Sequence, residues 1–124
     1  MAKPGSVIGW TLDGDERATL LDQFPPRYAN TVAHHVTLAT EAENRDLPDP
    51  VRAEIVGRTD DGAGVEAMVV SIDGDSARPD DSTFHITWSL GEGRRARESN
   101  DVLKARGWVT FERPIAITLT PARI

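Results

Sequence analysis

The amino-acid sequence predicts a single α+β domain, and three observations support this fold class. The chain has 124 residues, which is the size of one ordinary domain. Its apolar residues gather in short alternating or β-branched runs that are typical of strands. Two further segments carry helical patterns. The predicted order is therefore strand, helix, strand, hairpin, strand, helix, strand, in one domain over residues 1–124.

The chain begins with a predicted strand and a predicted helix. Residues 6–12 form the strand. Residues 16–24 form the helix, because apolar side chains recur there at helical spacing and Asp13 or Asp15 can act as the N-cap. The pair Pro25-Pro26 then ends the helix, since proline cannot continue it.

The middle of the chain is predicted to be strand-rich. Residues 34–40 alternate and are β-branched, which indicates a strand, and residues 41–50 are an acidic, proline-containing loop. Residues 52–58 and 65–72 predict a hairpin. Its turn contains the pair Asp61-Gly62, a good hairpin signal.

The last third of the chain contains a long loop, two strands and the second helix. Residues 73–82 are rich in Asp, Gly, Ser and Pro, as in a surface loop. Residues 84–90 predict a strand. Residues 94–106 predict a helix that Gly107 closes, and residues 115–119 predict the final strand.

Composition excludes several classes of function. The 14 basic and 20 acidic side chains give a net charge of −6, which disfavours an extensive nucleic-acid coat. The chain has no cysteine, so disulfides, thiolate metal sites and a cysteine nucleophile are excluded. No apolar run approaches the roughly 18 to 20 residues of a membrane span. We therefore expect a cytoplasmic protein that does not act at a membrane.

Two short motifs carry the candidate chemistry. They are His35-Val36-Thr37 and His85-Ile86-Thr87, each within a predicted strand. Side chains alternate along a strand, so His35 and Thr37 project to the same side with their Cα atoms about 7 Å apart. In the second strand His85, Thr87 and Ser89 share a polar face, opposite the apolar side chains.

Two imidazoles and two hydroxyls on facing strands suit phosphoryl transfer to water. One imidazole can take a proton from the nucleophile while the other gives a proton to the leaving oxygen. Histidine suits both tasks, because its unperturbed pKa of about 6.5 keeps both protonation states accessible. Threonine hydroxyls can donate to the non-bridging phosphate oxygens. This chemistry needs no metal or other cofactor, and the sequence has no recognisable metal-ligand cluster.

The strings His35-Val36-Thr37-Leu38 and His85-Ile86-Thr87-Trp88 resemble the paired His-x-Thr-x signatures of the two-histidine phosphoesterase superfamily. This superfamily includes the cyclic phosphodiesterase domains of fungal and plant tRNA ligases and bacterial RNA 2',3'-cyclic phosphodiesterases. Residues 28–38 are similar to the tRNA-ligase-associated members. The resemblance implies a bilobed α+β fold, in which antiparallel sheets line a central cleft and two helices flank them.

The resemblance also implies residue roles. His35 would be the acid toward the leaving ribose oxygen, His85 the base that activates water, and Thr37 and Thr87 the phosphate-binding residues. The expected reaction opens the 2',3'-cyclic phosphate of an RNA end or small cyclic nucleotide, giving a 2'-phosphomonoester. We expect a monomer that works beside an RNA ligase or kinase.

The sequence leaves three alternative functions open. The same chemistry could act on a 2'-5' linkage or on a cyclic nucleotide signal. The histidines could instead grip phosphate in a non-catalytic nucleotide or RNA-end binding module. Finally, an unrelated β-rich interaction domain could carry both motifs by accident.

Four residues near the motifs are candidates for substrate binding. Tyr28 precedes the first motif strand and could stack on a base, although ordinary packing would also explain it. Arg78 lies in the loop before His85 and could reach the substrate. Arg94 and Arg95 follow the second motif and could contact phosphate, or could be the solvated start of a helix.

Two other residues are predicted to lie outside the site. In a regular strand over residues 34–40, His34 would point away from His35, which indicates a structural or edge position. Trp88 alternates with His85 and Thr87 and is therefore predicted to pack in the core.

Overall fold

The structure, a computed structural model, describes residues 5–124, which form an α+β domain with antiparallel strands and two helices. The α+β class predicted from the sequence is confirmed. In chain order the described elements are β1 (Ile8–Leu12), α1 (Gly14–Gln23), β2 (Asn30–Thr31), β3 (His35–Ala39), β4 (Ala53–Asp60), β5 (Val65–Ile72), β6 (His85–Leu90), α2 (Glu98–Arg106), β7 (Val109–Ile117) and β8 (Leu119–Arg123).

The described strands form one curled antiparallel sheet in the order β7-β4-β5-β6-β3-β1-β8, and β2 also pairs with β6. The resemblance implies sheets in two lobes, whereas here a continuous sheet runs through both motif strands. The link between β3 and β6 is narrow, because Val36 and Ile86 are the paired residues there. The two histidine motifs are therefore on neighbouring strands.

Local side-chain chemistry explains the first helix and the central hairpin. Asp13 is the N-cap of α1, and its carboxylate accepts a 3.0 Å hydrogen bond from the Glu16 amide. In the turn between β4 and β5, Asp61 accepts hydrogen bonds from the amides of Ala63 and Val65 at 2.8 and 3.0 Å. Both features match the sequence predictions.

The second helix is shorter than predicted. It begins at Glu98 instead of residue 94, because the preceding residues form a turn in which the Arg94 amide donates to the Gly91 carbonyl. The Arg94 side chain also forms ion pairs with Asp61 and Glu98. These contacts tie the segment before α2 to the β4–β5 turn.

The chain end contains more strand than predicted. The single predicted strand over residues 115–119 is replaced by β7 and β8, which contain Pro114 and Pro121. Both strands lie at the ends of the sheet order. Proline lacks an amide donor and is tolerated on edge strands. These two prolines therefore hide the strand pattern in the sequence, but they do not prevent β7 and β8 from pairing with their neighbours.

The main core packs the apolar side chains of the sheet against α1, which contributes Leu20. Trp88 is fully buried there, and its indole nitrogen donates a 2.9 Å hydrogen bond to the Phe24 carbonyl. The predicted core position of Trp88 is confirmed. Neither helix within residues 5–124 is long and apolar enough to cross a membrane.

Candidate functional site

Both His-x-Thr motifs line one pocket with a volume of about 330 Å³. A larger cavity of about 520 Å³, lined by Arg52 and Asp73 among others, contains neither motif. We place the candidate site in the smaller pocket, because that is where the titratable groups converge. Its lining residues are Val7, His35, Thr37, Thr40, Arg78, His85, Thr87, Ala96, Arg97, Asn100 and Ile124.

The sheet register brings the two motifs together. Val36 and Ile86 are paired across β3 and β6, and both side chains are fully buried. Since side chains alternate along a strand, the residues on either side of this pair project to the opposite face of the sheet. This places the histidine and the threonine of each motif on the pocket side, as the sequence predicts.

His85 is held as a neutral imidazole with one nitrogen free. Its Nδ1 lies 2.8 Å from the Thr83 carbonyl oxygen, and a carbonyl can only accept, so Nδ1 carries the proton. Burial lowers the pKa of His85. The hydrogen bond to Thr83 raises this pKa in part, and the positive charge of Arg78 lowers it again. At neutral pH, Nε2 of His85 therefore has a free lone pair, as a general base requires.

His35 is also neutral at pH 7. Burial lowers its pKa to about 4, and the positive charges that His34 and His85 can carry contribute to the shift. Nδ1 of His35 lies 3.1 Å from Nδ1 of His34. This contact leaves Nε2 as the nitrogen of His35 that is available to a ligand.

The predicted orientation of His34 is wrong. β3 begins at His35 instead of residue 34, and the preceding Ala33 has a positive φ of 44°, which breaks the strand alternation. The two imidazole rings contact each other edge to face, with their centroids 5.2 Å apart. His34 is exposed to solvent, but its ring contacts His35 and is therefore next to the site.

The two threonines differ in their surroundings. The Thr87 hydroxyl lies 2.9 Å from the Ser99 hydroxyl and 3.3 Å from the Ala96 carbonyl oxygen. If Ser99 donates to Thr87, the Thr87 proton can turn from the long contact with Ala96 toward a ligand. In the described part of the chain, the Thr37 hydroxyl makes no hydrogen bond. It is thus available to a ligand without breaking a contact.

Arg78 brings a positive charge to the pocket. It is buried, and its Nε and Nη2 each donate a 3.0 Å hydrogen bond to the two carboxylate oxygens of Asp80. These hydrogen bonds hold the pKa of Asp80 well below its usual range. Nη1 of Arg78 also reaches the Thr37 carbonyl oxygen at 3.4 Å. The structure thus places this predicted residue beside the first motif.

Three predicted substrate-binding residues lie outside the pocket. The Tyr28 hydroxyl donates a 2.5 Å hydrogen bond to Asp60, which fixes its ring away from the histidines. Arg94 is occupied by the ion pairs described above. Arg95 is exposed, and its side chain lines a neighbouring surface depression instead.

Sequence reasoning missed three polar residues near α2. Arg97 and Asn100 line the pocket, and Ser99 is fully buried against Thr87. Their residue types are common on solvated helix faces, so no local pattern marks them. They belong to the site because α2 packs beside β6, which is a tertiary contact.

Among residues 5–124, no three His, Cys, Asp or Glu side chains lie close enough together to hold a metal ion. Comparison of the chain with family models, curated proteins and solved structures gives no match. The relationship to two-histidine phosphoesterases therefore stays a prediction based on the two motifs.

Proposed function

We propose that this protein is a phosphodiesterase that opens 2',3'-cyclic phosphates of RNA ends or nucleotides, with two histidines as acid and base and no metal cofactor. The observation that carries the proposal is that His35, Thr37, His85 and Thr87 line one pocket. We also propose that the fold is that of a bilobed two-histidine phosphoesterase. The strand order supports this proposal, because the sheet divides into two halves. One half contains β3, β1 and β8, and the other contains β6, β5, β4 and β7. The narrow pairing of Val36 with Ile86 joins the two halves.

In the proposed reaction His85 is the base. Its Nε2 takes a proton from water while the water oxygen forms a bond to phosphorus. The hydrogen bond from Nδ1 to the Thr83 carbonyl favours this role, because it fixes the tautomer and stabilises the imidazolium that forms.

His35 is the acid in the same step. The bond between phosphorus and the ribose 3' oxygen breaks, and Nε2–H of His35 gives its proton to that oxygen. The product is a 2'-phosphomonoester with a free 3' hydroxyl. Assignment of the acid to His35 follows the family resemblance, and it agrees with the orientation that leaves Nε2 free.

Arg78 and the two threonines are proposed to hold the non-bridging phosphate oxygens. The guanidinium is already oriented by Asp80, so little reorganisation is needed when negative charge develops on the phosphate. Thr37 donates from one strand, and Thr87, oriented by Ser99, donates from the other.

The pocket size and the overall charge favour a short substrate. A volume of about 330 Å³ is at the small end of ligand sites, and the net charge of −6 disfavours a long phosphate backbone. We therefore propose a terminal nucleotide or a small cyclic nucleotide as the ligand of a cytoplasmic monomer. An RNA ligase or kinase would act on the same RNA end.

A substrate panel in EDTA tests this function. The purified protein is incubated with a 2',3'-cyclic nucleotide, a 3',5'-cyclic nucleotide and a 2'-5'-linked dinucleotide, and products are separated by chromatography. We expect turnover of the 2',3'-cyclic nucleotide to the 2'-phosphate. Selective cleavage of another compound would reassign the substrate. Binding by titration without any product would favour the non-catalytic module.

A further inference from the structure

We propose that His34 is a proton relay that orients His35 and gives a proton to its Nδ1 as His35 protonates the leaving oxygen, a role that rests on the proposed function. The observation is the 3.1 Å separation of the two Nδ1 atoms. At this distance one Nδ1 carries a proton and the other accepts it. His34 is thus a positioning residue, which acts on substrate only through His35.

Burial decides the direction of this hydrogen bond during the reaction. His34 is exposed to solvent, whereas His35 is partly buried in the pocket. A protonated His34 can donate from Nδ1 to Nδ1 of His35. The proton of His35 is then on Nε2, the nitrogen that faces the ligand.

Backbone contacts hold His34 in this position. Its carbonyl oxygen accepts a 2.9 Å hydrogen bond from the Leu12 amide on β1. The adjacent Ala33 amide donates a 2.9 Å hydrogen bond to the Thr87 carbonyl on β6. The segment before β3 is therefore anchored to the strands on both sides.

During the step itself, no other described side chain of the pocket can give this proton to His35. The other charged or titratable side chains among the described lining residues are Arg78, His85 and Arg97, and none of these side chains is a carboxylate. Arginine does not give up its proton in proteins, and His85 is already assigned as the base. Burial also keeps His35 from holding a second proton of its own at neutral pH, since its pKa is about 4.

The relay balances the proton transfers. As His35 gives its Nε2 proton to the leaving oxygen, it takes the Nδ1 proton of His34, which becomes neutral. His85 gains the water proton in the same step. When product leaves, His85 releases its proton, Nε2 of His35 takes one from solvent, and the Nδ1 proton returns to His34.

A histidine NMR experiment on the free protein tests the hydrogen bond without any substrate. Nitrogen–hydrogen correlation spectra at pH 7 identify the protonated nitrogen of His35 in wild type, His34→Ala and His34→Asn. We expect the Nε2–H form in wild type and loss of this preference in His34→Ala. The Asn amide can still donate to Nδ1, so His34→Asn should retain it. An unchanged His35 tautomer in His34→Ala would overturn the proposal.

Kinetics test the relay itself. For a 2',3'-cyclic nucleotide, both variants should lose about 10- to 100-fold in kcat at pH 7.5, with little change in KM. Asn can orient His35 but cannot pass on a proton. The residual activity should peak at lower pH, where His35 can be protonated directly. A purely structural role would leave the pH profile of His34→Ala unchanged, and that result would overturn the relay.

The two experiments separate the relay from the proposed function. If wild type shows the predicted tautomer but turns over no cyclic phosphate, the proposed function fails while the hydrogen bond stands. If wild type is active and both variants keep its rate and pH profile, the relay alone fails.

Discussion

Val36 of β3 lies directly opposite Ile86 of β6, and each is the middle residue of its His-x-Thr motif. Both side chains are fully buried. Their contact is where the two motif strands pair, so the same packing that builds the core also sets the positions of His35 and His85. Stability and activity should therefore both depend on this pair.

Shortening Ile86 should reveal this dependence in a graded way. We expect Ile86→Ala to lower the free energy of unfolding by about 2 to 5 kcal/mol, since it leaves a cavity beside Val36. Ile86→Val removes one methyl group and should cost about 0.5 to 1.5 kcal/mol. Urea denaturation measures both. Equal, small effects would show that this pair does not carry the packing assigned to it.

The guanidinium of Arg78 should contribute to binding of the phosphate. Hydrogen bonds to charged groups contribute about 1.5 to 3 kcal/mol, so Arg78→Ala should lower kcat/KM by about 10- to 100-fold. Arg95→Ala is the matched control, because Arg95 is exposed and lies outside the pocket. Steady-state kinetics on a 2',3'-cyclic nucleotide measure both variants. An equal loss of activity in the two would contradict this role of Arg78.

Stability should decrease as the pH falls from about 6.5 to 4. The unfolded chain binds a proton on His35 below about pH 6.5, whereas the folded protein binds it only near pH 4. Over this window the unfolded state holds more protons, so acidification favours it, by up to about 1.4 kcal/mol per pH unit. The lowered pKa of His85 acts in the same direction.

His35→Gln isolates this contribution. The variant lacks the titrating group, so its free energy of unfolding should depend less steeply on pH between 6.5 and 4 than that of wild type. Urea denaturation at a series of pH values gives the comparison. Parallel curves for the two proteins would contradict the assignment of the shift to His35.

Glu66 forms a buried ionic cluster away from the pocket. Its carboxylate is fully buried and accepts hydrogen bonds from the Arg58 guanidinium at 2.8 Å, the Ser89 hydroxyl at 2.7 Å and the Arg27 amide at 3.1 Å. Glu66→Ala would leave these donors without their acceptor and should cost about 3 to 5 kcal/mol. Glu54→Ala, at an exposed position of the neighbouring strand, should change stability by less than about 0.5 kcal/mol.

Thermal or urea unfolding of the two glutamate variants makes this comparison. A Glu66→Ala protein as stable as Glu54→Ala would mean that the cluster contributes little. The cluster also shows why Ser89, although predicted on the same face as Thr87, does not line the pocket. Its hydroxyl is committed to Glu66.

Local patterns were sufficient for much of the fold. The strand pattern beside the Asp-Gly hairpin signal predicts β5 with its observed bounds. The N-cap signal at Asp13 or Asp15 predicts α1, although the helix begins at Gly14 instead of residue 16. The apolar face of β6 predicts the burial of Trp88. These features depend on neighbours in sequence. Edge strands with internal proline do not follow such patterns, which is why β8 escapes prediction.

The site itself needed tertiary contacts that spacing cannot supply. The strand pattern places His34 on the wrong side, because it cannot anticipate the left-handed Ala33 before β3. Nothing in the sequence shows a partner for Tyr28 or Arg94. In the structure, however, both side chains bind carboxylates of the distant β4–β5 hairpin. Arg97 and Asn100 join the pocket only because α2 packs against the sheet.

The proposed reaction requires both His35 and His85, because one imidazole acts as the acid and the other as the base when the cyclic phosphate opens. Turnover of a 2',3'-cyclic nucleotide in EDTA is followed by phosphorus NMR for wild type, His35→Ala and His85→Ala, with folding of each variant checked by circular dichroism. We predict conversion by wild type and a loss of at least about 100-fold in each variant. No conversion by wild type, or equal rates in all three folded proteins, would contradict the proposed roles of His35 and His85.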